Sequence, residues 1–246
     1  MSNRVKSPTQ GGGAGFIWGI LAIVVIAAVV IGYIVVKGRK GDEDLGVDIS
    51  PPQQVAFTVE HTGDTITLKS DKATDQTKKL ELYEDFSCPH CGELSVASDA
   101  DLRRVVESGE AVLIIHPLHF LDNNNTDGHS HHALAAILAV ADSGDATAYW
   151  GYHTLLMEHM QQIYNQWDDA KFAAAAEQIG VSSDVASEIK DGQYLQEADD
   201  IGQNNKDKLE KDTGTVSSPR IFVNGKEFDL QKHGTLQGWV DAALKS

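Results

Sequence analysis

The two cysteines of this 246-residue chain stand three apart, in the run Phe86-Ser87-Cys88-Pro89-His90-Cys91. Two sulfurs at that spacing can close reversibly into a disulfide when the first caps a helix and the second follows one turn later. A thiolate attacks where a thiol does not, so Cys88 needs a low pKa. The unpaired N–H groups and positive dipole end of a helix N-terminus favour the thiolate, and His90 adds to this when protonated or donating. Cys91 is expected to be the more buried, resolving thiol. Whatever stabilises the reduced thiolate makes the disulfide a stronger oxidant. Pro89 and His90 between the cysteines therefore point towards donating disulfides.

Three other uses of the pair are weaker. A structural zinc site normally takes four ligands, often as two cysteine pairs, and the sequence has no second pair. A purely structural disulfide would close too short a loop to gain much. Two inert cysteines would not call for Pro-His between them at a strand-to-helix junction.

The elements that must position the pair surround it. Leu80–Glu84 reads as a strand. Pro89 suits the first position of a helix running to about Glu107, with Gly109 as its stop. Ala111–His116 is a second strand, apolar enough to be buried on both faces. Strand, helix, strand in succession implies a right-handed parallel crossover. A helical region follows, about 127–212, with helices expected at Ala133–Ala141, Ala148–Met160, Asp168–Ile179, Ser182–Lys190 and Tyr194–Lys211. Arg220–Val223 then returns to strand, Asn224-Gly225 signals a hairpin to Lys226–Phe228, and Leu236–Leu244 closes as a helix. Val55–Val59 and Thr65–Leu68 alternate as strands about Thr62–Asp64, so 55–78 reads as a small hairpin ahead of the main domain, 79–246.

Phe16–Val36 is a 21-residue run without charge. At about 1.5 Å per residue it spans a ~30 Å hydrocarbon core, with Trp18 and Tyr33 near its ends as interfacial aromatics. It is longer than a signal-peptide core, and Lys37-Gly38-Arg39-Lys40 follows instead of a small-residue cleavage site. An uncleaved signal anchor is expected, with 1–15 as a cytoplasmic tail and 37–54 as a linker. Positive charges flank the anchor almost evenly. The chemistry of the cysteines, which belongs in an oxidising compartment, is what places the C-terminal domain outside the cytoplasm. Residues 42–246 carry 15 basic and 36 acidic residues, a balance that argues against nucleic acid as a partner.

Other clustered side chains read as structure. Asn123–His132, with His129, His131 and His132, reads as a polar loop entering a helix capped by Asp127 or Ser130, in preference to a metal site. His116 and His119 read as satisfied loop histidines. Trp150 and Trp167 read as packing residues.

Glu84-Asp85-Phe86-Ser87-Cys88-Pro89-His90-Cys91 resembles the active-site segment of DsbA-like thiol–disulfide oxidoreductases of thioredoxin fold. Gly109–Pro117 is similar to that family's second strand, and Trp150–Leu156 to its helical insert. Thr213–Gly225 is similar to its cis-proline loop, strand and hairpin. The resemblance covers roughly 79–246, and with the anchor it is most like the membrane-anchored MdbA-type oxidases of Gram-positive bacteria. It implies an α/β thioredoxin fold (β-α-β, helical insert, β-β-α). It also implies Cys88 as nucleophile, Cys91 as resolving thiol and His90 as tuning residue. Pro219 becomes the cis-proline facing the disulfide, and Ser218 a backbone contact for extended substrate. Its substrates would be reduced, unfolded exported proteins, its reoxidant a quinone-linked DsbB- or VKOR-like membrane protein, and no cofactor is expected.

Two departures stand out. Family members often carry an acid six residues before the first cysteine, as a proton acceptor for the resolving thiol; here that position is Leu82. Glu84 or Glu81 could substitute, but strand alternation puts Glu81 on the opposite face from Leu82. Ser218 stands where Thr or Val is commoner. A disulfide reductase or isomerase of the same fold, and a non-enzymatic copper metallochaperone, are the alternatives to an oxidase.

Overall fold

The computed structural model describes residues 44–123, 125–233 and 235–246. The expected anchor, the cytoplasmic tail and the first part of the linker lie outside the described residues. Among the described residues no helix is long and apolar enough to cross a membrane.

Six strands form one sheet in the order β1-β2-β4-β3-β5-β6. They are β1 (Thr58–Thr62), β2 (Thr65–Lys69), β3 (Lys78–Asp85), β4 (Ala111–Leu118), β5 (Arg220–Val223) and β6 (Lys226–Glu227). The centre is the parallel pair β3 and β4, in register at Leu80 with Leu113 and Leu82 with Ile115. Strand β5 pairs antiparallel with the other edge of β3, Leu82 opposite Ile221. The central position of β3 explains why four consecutive residues, Leu82, Tyr83, Glu84 and Asp85, are buried whichever face they point to.

The crossover from β3 to β4 is helix α1 (Pro89–Ser108), with Cys88 as N-cap and proline at its start. Its buried residues Cys91, Leu94, Ser95, Ser98, Leu102, Val105 and Val106 recur at helical spacing, which makes one stripe that packs on the sheet. Gly109 ends it at φ 81°, in the left-handed region that suits glycine. A Cβ there would also lie 2.7 Å from the Lys72 side chain.

The insert comprises α2 (His129–Asp142), α3 (Ala146–Glu158), the short α4 (Met160–Ile163), α5 (Asp169–Ile179), α6 (Ser183–Lys190) and α7 (Leu195–Thr213). Asp145, Asp168 and Ser182 cap α3, α5 and α6 by accepting from backbone N–H groups. Helix α2 is buried nearly all round, as its even apolar composition requires. Its cap differs from expectation. Gly128 is the N-cap residue, and the carboxylate of Asp122 accepts from the N–H of Ser130 and of His131. A 3-10 turn at Phe120–Asp122 brings that acid back over the helix start, a long-range cap that local spacing does not reveal. After the sheet, α8 (Leu230–His233) and α9 (Trp239–Lys245) close the chain.

The hairpin is no separate element ahead of the domain. Strand β2 pairs antiparallel with β4, Ile66 opposite Ile115 and Leu68 opposite Leu113. The apolar edge of β4 has to be covered, and β2 covers it. Strand β1 starts at Thr58, three residues later than read, because Phe57 turns inward edge-to-face against Trp150. Residues 44–54 of the expected linker also lie on the domain. Trp167 Nε1 donates to the Leu45 carbonyl at 2.9 Å, and Arg103 binds Gln53 and the Gln54 carbonyl.

Candidate active site

The turn from β3 into α1 is built by Asp85. Its buried carboxylate accepts from the Ser87 N–H at 2.9 Å, from the Leu121 N–H at 3.1 Å, and from the Ser130 hydroxyl. Burial pushes this acid up to about 6 against those bonds. The Asp85 carbonyl accepts from the Cys88 N–H at 2.9 Å. The acid three residues before the first cysteine thus ties the strand, the turn and the insert together. Sequence reading gave Asp85 no role.

Cys88 sits with its sulfur at the helix start, and both cysteines are reduced in this structure. The Cys88 thiol is brought down to about 6, first by the hydrogen bond from Cys91. Burial opposes, while Ser218 and the backbone N–H groups of Cys91 and His90 add to the stabilisation. Cys91 moves the other way, well above the ordinary thiol range, through burial first and then through its bond and proximity to Cys88. At pH 7 a thiol of pKa near 6 is ionised in about nine molecules of ten, against a few per cent for an ordinary cysteine. The pair therefore consists of one thiol held largely as thiolate and one that keeps its proton.

His90 faces solvent. Its side chain is 77% exposed and its Nδ1 lies 3.0 Å from Glu93 Oε2, which raises its pKa more than Cys88 does. Among the leading influences on Cys88 it is the backbone N–H of His90 that counts. Pro89, half of the intervening pair, sets the first helical residue and lines a surface groove with Gly92, Val96, Met157 and Met160. A Cβ on Gly92 would lie 2.7 Å from the Met157 carbonyl, so glycine after Cys91 lets α1 and α3 approach closely beside the sulfurs.

The Ser218–Pro219 peptide bond is cis. It brings the Ser218 carbonyl to 3.4 Å from Cys88 Sγ. The Ser218 hydroxyl is buried and bonded to no other group, so it is available to the sulfurs. Pro219 has two exposures. Inward it borders a closed space behind Cys91, with Leu82, Glu84, Leu94, Ser95 and Asp99. Outward it lines a groove of about 490 Å³ with His90, Ile221, Phe228 and Leu236.

The remaining expected residues disperse. His116, on β4, is stacked on Tyr83 at 4.2 Å and bonded to Asn205 and Glu81. His119 meets the Asp199 carbonyl. His132 bridges Asp127 and Asp169, His131 reaches the Leu195 carbonyl, and His129 packs on Tyr164 and Phe172. His131 and His132 also touch ring to ring, with centroids 5.9 Å apart.

Two residues near the pair escaped sequence reading. His153, in the middle of α3, places Nε2 2.6 Å from Glu84 Oε1. Asp99, on α1, accepts from Ser95 and Thr154 hydroxyls at 2.7 and 3.2 Å. Their signal was polarity out of place: a histidine within the buried face Tyr149, Trp150, Tyr152, Leu156, and an acid continuing the stripe Cys91, Ser95, Ser98.

Residues 72–242 match the family model described as thioredoxin. Among solved structures, the chain is 40% identical to the MdbA protein of Corynebacterium diphtheriae, a thiol-disulfide oxidoreductase. That match covers 82% of this chain and 99% of the other at a TM-score of 0.75. The MdbA protein of Corynebacterium matruchotii is 35% identical over 77% of this chain and 92% of its own, at 0.72. DsbA from Mycobacterium tuberculosis, at 23% identity and 0.56 over 74% of this chain and 98% of its own, shares the fold. No curated protein matches the sequence.

Proposed function

The chain belongs to the thioredoxin family as a thiol–disulfide oxidoreductase of the DsbA and MdbA type, and from that premise we propose that it is an extracytoplasmic oxidase donating the Cys88–Cys91 disulfide to newly exported proteins. The observation that carries this reading is the opposite displacement of the two thiols, Cys88 down to about 6 and Cys91 well up. A stabilised Cys88 thiolate favours the reduced enzyme and hence the transfer of the disulfide outward.

A substrate thiolate attacks Cys88 Sγ, a substrate–Cys88 bond forms, and the Cys88–Cys91 bond breaks. Cys91 leaves as a thiolate and takes up a proton. A second substrate thiolate attacks the substrate sulfur of the mixed disulfide and expels Cys88 as its stabilised thiolate. The substrate has lost two electrons and the enzyme has gained them. Pro219 and Ser218 border the sulfurs where an extended substrate segment would lie alongside, a form of strand addition. The grooves meeting at Leu236 offer it apolar contact. Reoxidation falls to a membrane disulfide donor, quinone-linked and DsbB- or VKOR-like, reached from the Phe16–Val36 anchor.

The test uses the purified full chain with a reduced, unfolded disulfide protein. The oxidised enzyme is expected to restore substrate disulfides stoichiometrically. Cys91→Ala should accumulate a mixed disulfide through Cys88, and Cys88→Ala should be inert. A reduction potential near that of thioredoxin, about −270 mV, would overturn the oxidase assignment. Protection of the domain from protease added to intact cells would overturn the placement outside the membrane.

A further inference from the structure

Cys91 must gain a proton when the disulfide is donated and lose one when it re-forms, yet the residue behind it where an acid is expected is Leu82, buried among apolar groups. The polar groups have moved. Glu84, two residues along β3 on the same face, borders the closed space behind Cys91 together with Ser95 and Asp99. Glu84 and His153 form an ion pair at 2.6 Å, with side chains only 3% exposed each. His153 Nδ1 is buried without a hydrogen-bond partner and lies 3.9 Å from Asp99 Oδ2. Asp99 and Ser95 also line a second, open groove of about 840 Å³, with Arg103, Trp150, Thr154 and Pro52. The closed space at the resolving thiol and the open groove thus share two polar residues.

We infer that Glu84, His153 and Asp99 form a proton relay between Cys91 and that groove, with Glu84 at the thiol and Asp99 at the solvent. When a thiolate resolves the mixed disulfide, Cys91 Sγ bonds to Cys88 Sγ and the partner sulfur leaves with the electron pair. The Cys91 proton passes into the cluster, and one proton leaves it at Asp99. Donation of the disulfide runs the same path inward, so each turnover moves one proton in and one out.

The charges suit the task. Burial raises Asp99 to about 6, against the charge of His153 and the Ser95 bond, with the charge of Glu84 adding to the rise. For His153 burial opposes the charge, but Glu84, by charge and hydrogen bond, and Asp99 outweigh it and push the imidazole up to about 9. Facing the cluster are Tyr149, His153 and Thr154 from α3, Glu84 from β3, and Cys91, Ser95 and, at the groove, Arg103 from α1. Within the cluster, the group brought to about 6 is Asp99, the member that lines the open groove. Asp99 and His153 are positioning residues here, since they act on Cys91 through Glu84.

The inference rests on the thiol–disulfide reading but not on the direction of exchange. The reduced full chain is mixed with glutathione disulfide, and samples quenched in acid separate formation of the Cys88–glutathione species from its resolution by Cys91. In the wild type, resolution should fall away below about pH 6, where the relay is already protonated. Asp99→Asn should slow resolution about tenfold or more at pH 7 and turn its profile into a continuous rise with hydroxide. The rate of Cys88 alkylation by iodoacetamide should not change. Should Asp99→Asn fail to fold, Thr154→Val removes one donor from Asp99 and should shift the midpoint of resolution upward. An unaltered resolution profile in a folded variant overturns the relay. If the refolding assay fails while these profiles shift, the oxidase reading falls and the relay stands.

Discussion

Strand β3 carries two glutamate–histidine pairs on opposite faces. Glu84 and His153 meet at 2.6 Å in a sealed site that borders Cys91. Glu81 and His116 meet at 3.3 Å, with the Glu81 side chain 19% exposed. Glu81 also accepts from the Gly225 N–H at 3.1 Å, and His116 is held by Asn205 and stacked on Tyr83. The residue types are the same, yet the first pair has few other partners and the second has many. Successive side chains of a strand alternate between faces, so three positions along β3 separate a pair that fastens α7 and the β5 hairpin from a pair set against the redox centre. The setting, and not the pair, decides which of them can act on a sulfur.

The largest effect separating the two should be on stability. Glu84→Gln takes the 2.6 Å partner from a buried imidazolium and leaves it only Asp99 at 3.9 Å; losing one member of a buried ion pair costs about 3–5 kcal/mol. Glu81→Gln keeps one acceptor oxygen, enough for the Gly225 N–H, at a partly exposed site where about 1 kcal/mol or less is expected. Urea midpoints of the oxidised proteins at unchanged slope would measure both. Equal losses would mean that sealing does not distinguish the pairs.

How far the sequence reveals this arrangement follows from which interactions are local. The crossover, α1 with Pro89 and Gly109, the hairpin at Asn224-Gly225 and the exclusion of Glu81 from the Leu82 face all depend on spacing within a few residues, and the structure has them in place. The place of Cys88 at a helix N-terminus is local in the same way. The cap of α2 by Asp122, the covering of β4 by β2 and the junction of Glu84 with His153 join residues far apart in the chain. Periodicity carries no sign of such partners. His90 shows a different gap: the motif names the residue, but its exposure and its bond to Glu93 are set by the surface around it. Leu82 directed attention to Glu84, two residues along the same strand, without showing that Glu84 meets His153 on the insert.

A second contrast between the pairs lies in alkaline solution. The His153 pKa rises from about 6.5 in an unfolded chain to about 9 in the folded protein. A group raised in this way contributes stability that is fully present below the unfolded value and is lost as pH climbs through the folded one. The oxidised protein should therefore lose on the order of 3 kcal/mol between about pH 6.5 and 9, while the cysteines, being joined, do not titrate. His153→Gln should abolish that decline and His116→Gln should keep it. A decline that survives in His153→Gln would assign it to other groups.

The smallest effect is on the redox couple itself, and it asks whether either pair reaches the sulfurs through space. With Cys88 at about 6 and Cys91 well above the ordinary range, reduction below pH 6 takes up two protons with two electrons, and above it one. The potential should fall by about 59 mV per pH unit on the acid side and about 30 mV on the other. Ordinary thiols would keep the steep slope to about pH 8.5. Ser218→Ala removes a bond to the Cys88 thiolate and should move the break upward by less than about one unit. Glu81→Gln, acting across the thickness of the sheet, should leave the break where it is. A break displaced by Glu81→Gln would mean that the far face reaches Cys88 after all, and the separation imposed by strand alternation would then be structural without being electrostatic.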